Sequence, residues 1–328
     1  GGVVLPLVAS IAEAAGSRPG PSAKRLGAFL TLTVFHTSAV SCGMWLTGNH
    51  PNPLCAELAA SVTGQPLSWA GWAAFAIVPG LCSLLLLPLI LWVFFPPEQR
   101  TVGDDFRRAT ARRLEDMGPM SPAERVLVAT VAGTMGLWVL GARLGVTATT
   151  AAVAGACVLL LTRVLDWSDC LQCESAWDMM VWFSAMISMA ANLNRLGLVA
   201  AFTDKVGAVL GGLGLTSLPA LGAVLVTYIL THYFFASNAA HVGAMYAACL
   251  ATAVGAWAPP MLSALMLAAF SNMMGVLTPY GMSSAPQFYG TGYVTKGEWW
   301  RWGAILCAAN LVIWSLSGAL WWRMLGLL

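Results

Sequence analysis

Long apolar runs, separated by short polar or Pro/Gly-rich strings, occupy most of the 328-residue chain. A run of about 17 to 25 residues is long enough to cross a bilayer as a helix, so the spacing of the interruptions predicts the elements. Residues 2–15 form a run too short to span comfortably, and it ends in the turn from Gly16 to Pro21. Residues 25–47 predict a full-length helix stopping at Gly48, followed by the polar string Asn49-His50-Pro51-Asn52-Pro53 and a short amphipathic piece over 54–62. A strong span follows at 69–95, then a charge-dense segment at 96–125, then spans at 126–142 and 146–165. Beyond a polar loop at 166–176, apolar runs cover 177–194, 197–214, 217–235 and 238–257. The run 260–277 ends in Thr278-Pro279-Tyr280-Gly281, and the last span is 299–322.

Composition agrees with that pattern. The chain is 58% hydrophobic and 9% charged, where a soluble protein carries about 25% charged residues. So little polar surface cannot cover an aqueous core, and the solvent for these runs is the lipid bilayer. The expected fold is therefore all-α and polytopic. A net charge of +2 and fifteen Trp fit interfacial belts rather than a nucleic-acid surface, so no nucleic-acid partner is expected. Eight Cys stand singly, with Cys82, Cys157, Cys249 and Cys307 inside apolar runs, where they read as small hydrophobes. Cys170 and Cys173 form a CxxC pair, but no second pair or nearby His completes a zinc site. Arg18, Lys24 and Arg25 in the first turn, and Arg100, Arg107, Arg108, Arg112, Arg113 and Arg125 in the charged segment, lie two crossings apart. Both clusters are expected on the cytoplasmic side or its equivalent. Acids such as Asp104, Asp105, Glu115 and Asp116 in the larger loop suggest a solvated helix with internal pairs. Asp178, beside Trp177, reads as a membrane-interface or helix-start residue. Gly1-Gly2 lead straight into an apolar stretch without an initiator Met or a basic n-region. The expectation is a chain lacking its N-terminal part.

The connectivity repeats. An apolar arm (2–15) precedes a helix that breaks at 48–53 and a Trp-led span from Ser68-Trp69, and an arm at 238–257 precedes a helix that breaks at 278–286 and a span from Trp299-Trp300. The second arm is joined to its predecessor, 217–235, by Ala236-Ser237-Asn238-Ala239, which predicts a re-entrant hairpin with a polar tip. The tip of a matching first hairpin would fall just before Gly1. The expected organisation is the end of one repeat over 1–95, a linker over 96–125 and a second repeat over 126–328. Broken helices at membrane depth are tolerated where the freed backbone lines a cavity or is covered by protein, and paired breaks mark transporter sites. Pro and Gly also kink ordinary spans, which is the bland alternative. A channel is a further reading. An integral-membrane enzyme would need a catalytic pair at membrane depth, whereas Gly103-Asp104-Asp105 lies in the charged loop.

The strings Gly1-Gly2-Val3-Val4-Leu5-Pro6, Asn52-Pro53-Leu54, Pro96-Pro97-Glu98, Met117-Gly118-Pro119-Met120-Ser121, Ala176-Trp177-Asp178, Asn194-Arg195-Leu196-Gly197, His232-Tyr233-Phe234-Phe235-Ala236-Ser237 and Tyr289-Gly290-Thr291-Gly292-Tyr293 occur in the order of the divalent anion:sodium symporter family. The chain resembles most the branch of plastid 2-oxoglutarate/malate translocators and bacterial citrate or tartrate/succinate antiporters. That resemblance implies an inverted-repeat, elevator-type homodimer moving small carboxylates, with no enzyme activity, in a plastid inner envelope or a bacterial inner membrane. It implies obligate exchange, with sodium-coupled di- or tricarboxylate symport as the alternative. The family's hairpin tips carry Ser-Asn-Thr; here Ser237 and Asn238 match and Ala239 replaces the Thr. The broken-helix positions carry over as Thr47, Asn49, Asn52 and Pro53, and as Thr278, Pro279 and Tyr280. A coupling Na⁺, if used, would lie near Thr47, Asn49, Ser237 and Thr278; no other cofactor is implied.

Ser237 and Asn238 also suit a plain helix cap. His241, one turn on, is an ionisable group deep in an apolar run, hence either a substrate-site residue or a neutral His bonded to a neighbouring helix. His232 reads as an anchor of the first arm and His36 as a packed neutral ring, while His50 sits inside the first break. Neither predicted break holds Lys or Arg. An anionic substrate would then rely on helix N-termini, amides and hydroxyls.

Overall fold

The computed structural model describes residues 4–100, 118–173 and 195–328, together with scattered positions in 101–117 and 174–194. Gly103-Asp104-Asp105, Arg107, Arg112, Arg113, Glu174, Asp178 and the strings around Gly1, Met117, Ala176 and Asn194 therefore fall wholly or partly outside the described residues. Among the described residues every regular element is helical. Five helices are long and apolar enough to cross a membrane: Gly27–Met44, Trp69–Phe94, Pro122–Gly141, Ser217–Phe234 and Lys296–Met324.

In the first half, α1 (Val4–Ala14) leads through the Gly16–Leu26 turn to α2 (Gly27–Met44), then α3 (Pro51–Thr63) and α4 (Trp69–Phe94). Two helices, α5 (Pro122–Leu144) and α6 (Ala148–Leu161), form a hairpin of their own. A short α7 (Trp167–Gln172) and α8 (Leu198–Gly212) follow. The arm α9 (Ser217–Thr231) continues as one 3₁₀ turn over His232–Phe234. The return arm is α10 (Asn238–His241), a π-helical turn over Val242–Tyr246, and α11 (Ala247–Gly255). The last three helices are α12 (Pro260–Met273), α13 (Ala285–Gly290) and α14 (Lys296–Met324).

Several boundaries differ from the apolar runs, for reasons of helix-end chemistry. The spans at 126–142 and 299–322 begin a turn earlier, because capping boxes at Ser121/Glu124 and Thr295/Glu298 start each helix on polar residues. A third capping box, Asp166/Asp169, turns part of the expected polar loop at 166–176 into α7. The first break lies earlier than the polar string: α2 already ends at Met44, and Pro51, Asn52 and Pro53 belong to the first turn of α3, where a Pro forfeits no intrahelical hydrogen bond. The second run ends earlier, as α12 gives way to a 3₁₀ turn over Met274–Val276.

The two halves run antiparallel. At one end Lys24 is paired with Glu298 at 3.2 Å, and Tyr293 packs so closely on Gly27 that a Cβ there would meet its ring. The starts of α2 and α14 thus share that end. At the other end Trp72, Met261 and Leu327 line one cavity, which places the starts of α4 and α12 beside the end of α14. Hence α2 and α12 enter from opposite ends and meet near their C-termini, where a Cβ on Gly43 would lie 3.0 Å from the Ala269 carbonyl oxygen. Small residues at such crossings let backbones approach, which substitutes for the hydrophobic drive that lipid removes. The long helices α4 and α14 close the body: Trp321 and Trp322 donate indole N–H groups to Ala74 and Phe75 carbonyls at 2.6 and 3.0 Å, and Trp322 stacks on Phe75 at 4.7 Å. The hairpin of α9 to α11 turns over Phe235–Ser237, and its base is shut by Ser217 N–H donating to the Ala256 carbonyl at 2.7 Å.

Candidate functional site

The first break occupies 45–50, between the C-cap of α2 and Pro51. Its freed carbonyls are taken by a side chain. Asn52, fully buried, donates both amide hydrogens, one to Cys42 O and one to Trp45 O, each at 2.8 Å. The amide oxygen of Asn52 accepts from Asn272 Nδ2 at 2.8 Å, and Asn272 Oδ1 accepts from Asn49 Nδ2 at 2.7 Å. Asn49 Oδ1 in turn accepts from His50 N–H at 3.0 Å, so Asn49 uses both ends of its amide. Three asparagines thus staple the first break to the last full turn of α12. Amide groups suit this because each offers donors and an acceptor that together replace the missing helical bonds.

The hairpin tip reaches the same turn. Asn238 donates to Ser271 O at 2.9 Å, and Tyr228 of the first arm lies 2.8 Å from Ser271 Oγ. The Sγ of Cys55 of α3 is 3.8 Å from the same hydroxyl. Ser237 stands at the N-cap of α10 without making a side-chain cap bond, so capping does not occupy its hydroxyl. Ala239 is buried just behind it. His241 bonds Thr231 of the other arm (Nε2 to Oγ1, 3.1 Å) and packs against Tyr228, Phe235 and His232.

The second break is held from the hairpin. His232 Nε2 donates to the Gly281 carbonyl at 2.8 Å, and Tyr280 OH donates to Tyr233 O at 3.3 Å. His232 therefore anchors not only its own arm but the turn opposite it. The fit is tight at two glycines. A Cβ on Gly281 would sit 2.7 Å from Gly275 O and 2.8 Å from Thr278 Oγ1, and one on Gly275 would sit 2.8 Å from Asn238 Oδ1. Pro279 is half-buried in this turn. Around it, Asn238 Oδ1, Thr278 Oγ1, His232 Nδ1 and His241 Nδ1 are buried and have no protein partner. Unpaired polar atoms in a protein interior cost about 1–3 kcal/mol each, and these four lie on the residues that join the hairpin tip to the second break, with others buried elsewhere.

Not every expected residue joins this cluster. Thr47 is exposed and accepts the indole N–H of Trp69 at 3.1 Å, and it lines a separate cavity together with Pro53. Thr47 thus stands apart from the cluster around Ser271 and Asn272. His36 is buried mid-span with an edge contact to Phe35. Two central residues, Ser271 and Asn272, were not among the sequence candidates. Their signal was available: they are adjacent polar residues inside the 260–277 apolar run, two turns before Thr278.

The whole chain, residues 1–328, matches the family described as the sodium:sulfate symporter transmembrane region. It is similar to dicarboxylate transporter 1, chloroplastic, of Spinacia oleracea, with 46% identity over all of this chain and 58% of that protein. It is likewise similar to YflS of Bacillus subtilis, with 41% identity over all of this chain and 68% of that protein, and to inner membrane protein YbhI of Escherichia coli, with 29% identity over 99% of this chain. The chain thus spans rather more than half the length of its chloroplast relative. With antiparallel halves, paired breaks and a full-length match, the chain belongs to the sodium:sulfate symporter transmembrane family.

Proposed function

We propose that this chain carries the substrate site of a carrier for small dicarboxylates of the malate, 2-oxoglutarate and succinate class, working by obligate exchange. One observation carries the reading: the first helix break and the hairpin tip converge on Ser271 and Asn272, and the same hairpin holds the second break, next to four buried polar atoms that lack protein partners. The names of the chloroplast relatives in spinach and Arabidopsis, dicarboxylate transporters, support the substrate class.

Neither break contains Lys or Arg. A dianion would be met by the Thr278 hydroxyl, the Ser237 hydroxyl and the positive end of the α3 helix dipole. Asn238 would be a positioning group as well as a contact, because its amide hydrogen already holds Ser271 O. Ala239, where the family has Thr, removes one hydroxyl from this set and would narrow the substrates accepted. Exchange follows from the same chemistry. A filled site has its buried polar groups paired and crosses readily, whereas an empty one exposes unpaired groups to a low-dielectric path. The carrier is read as a homodimer of elevator type in a plastid inner envelope or a bacterial inner membrane.

The test uses the full-length protein in proteoliposomes, with labelled malate and 2-oxoglutarate outside. Uptake is expected only when an unlabelled dicarboxylate is trapped inside. Uptake into empty vesicles driven by a sodium gradient would replace exchange with symport, and no movement of either acid would remove the substrate class.

A further inference from the structure

The α5–α6 hairpin stands partly aside from the broken-helix body. Among the described residues its two helices pack on each other, and α5 reaches the body along α4. Between hairpin and body lies a cavity of about 520 Å³, walled by Thr47, Pro53 and Ala56 on one side and by Trp138, Thr149 and Ala152 on the other. Beside this gap a row of three indoles connects the two parts. Trp45 stacks on Trp69 (centroids 5.5 Å apart, planes at 20°), and Trp69 stacks on Trp138 (6.3 Å, 26°). The outer ring is fixed to its own hairpin, because Trp138 Nε1–H donates to Ala148 O at 3.0 Å.

The inner two rings belong to the first break. Trp45 is the C-cap of α2, and its carbonyl accepts both Asn52 Nδ2 and Gly48 N–H at 2.8 Å. Trp69 Nε1–H holds Thr47, two residues further on. The ring that Trp138 supports therefore touches the residue where the break begins, Trp45, and Thr47 within the break that Asn52 fills. Stacked indoles have few soft torsions, so a displacement of one face is passed to the next rather than absorbed.

Resting on the transport reading above, we propose that Trp138 is a positioning residue for the substrate site. It touches no substrate group; through Trp69 it fixes the Trp45–Thr47 segment, and so the carbonyl geometry on which the Asn52–Asn272 junction is built. The shape of the site then depends on how the α5–α6 hairpin sits against the body.

Native Cys42 reports this directly, because its carbonyl is one of the two that Asn52 holds, and its thiol is free and half-buried. The full-length protein is alkylated with a small maleimide, and the rate at Cys42 is read by peptide mass spectrometry, with the buried Cys307 of α14 as internal reference. Trp138→Ala is expected to raise the Cys42 rate about tenfold, as a local opening does. Trp138→Phe, which keeps a ring face, should stay within about twofold of wild type. Trp69→Ala should match Trp138→Ala, and the double variant should show no further increase, since residues acting through one path are not additive. An unchanged Cys42 rate in Trp138→Ala, or additive effects in the double variant, would overturn the proposal. If Trp138→Ala does not fold, Trp138→Leu, which fills the space without a ring face, takes its place under the same criteria. Malate binding is measured on the same samples: its absence in the wild type would remove the transport reading, while the Cys42 comparison would still decide the role of Trp138.

Discussion

Asn52 fills the first break from within, with both amide hydrogens on carbonyls of the helix that has just ended, whereas the carbonyl of Gly281 in the second break is held from outside by His232 of the hairpin. The first junction is made of side-chain amides that satisfy one another. The second keeps Thr278 Oγ1 buried and unpartnered beside two glycines that admit no Cβ without a collision. Two breaks in matching positions are therefore chemically unequal: one supplies a rigid floor, and the other supplies open valences and depends on the hairpin for its shape.

The largest effect is expected from removing the floor. Asn272→Leu leaves Asn52 Oδ1 and Asn49 Nδ2 without partners and should cost about 2–4 kcal/mol, because unpaired buried groups forfeit their full solvation. Thermal unfolding of the purified full-length protein reads this, with loss of dicarboxylate uptake alongside it. An unshifted melting point would show that water replaces the amide and that the first break is not rigid. Gly281→Ala should be next, at about 1–3 kcal/mol, since the added carbon meets backbone and the His232 ring at once. Its uptake should fall further than its stability does, as the distortion lands on the second break.

Thr278→Val sharpens the contrast in the opposite direction. Removing a buried hydroxyl that has no protein partner should leave stability unchanged or raise it by up to about 1–3 kcal/mol, while the half-saturating dicarboxylate concentration rises about tenfold. Equal losses in both measurements would make Thr278 a structural residue like Asn52. Tyr280→Phe should do least, within about 0.5 kcal/mol and with near-normal uptake, because its hydroxyl bond to Tyr233 O is long and exposed.

Among the described residues hydropathy made the spans, the two breaks and the hairpin legible, since lipid leaves backbone polar groups few solutions, while the run at 177–194 lies largely outside them. Helix starts were less legible, as at Lys296, where polar capping residues precede the apolar run. The candidate site was half legible. Asn49, Asn52, Asn238 and Thr278 announced themselves by interrupting or bounding apolar runs. Ser271 and Asn272 did not, because two polar residues inside a run barely lower its mean hydropathy, and only the packing of the first break, α3 and the hairpin on α12 shows what they meet. Thr47 shows the converse: adjacency in sequence to Asn49 does not fix which way a side chain turns, and it turns to Trp69.

The central claim is that the hairpin tip and the two breaks bind one dicarboxylate. Its most direct test is calorimetric titration of malate into the purified full-length protein and into its Asn238→Ala variant, with melting points taken on both. The account predicts saturable binding by the wild type and at least about tenfold weaker binding by the variant, or about 1.4 kcal/mol, with the fold retained. Equal affinity in the two proteins would reduce Asn238 to a structural tie to Ser271 and contradict the account.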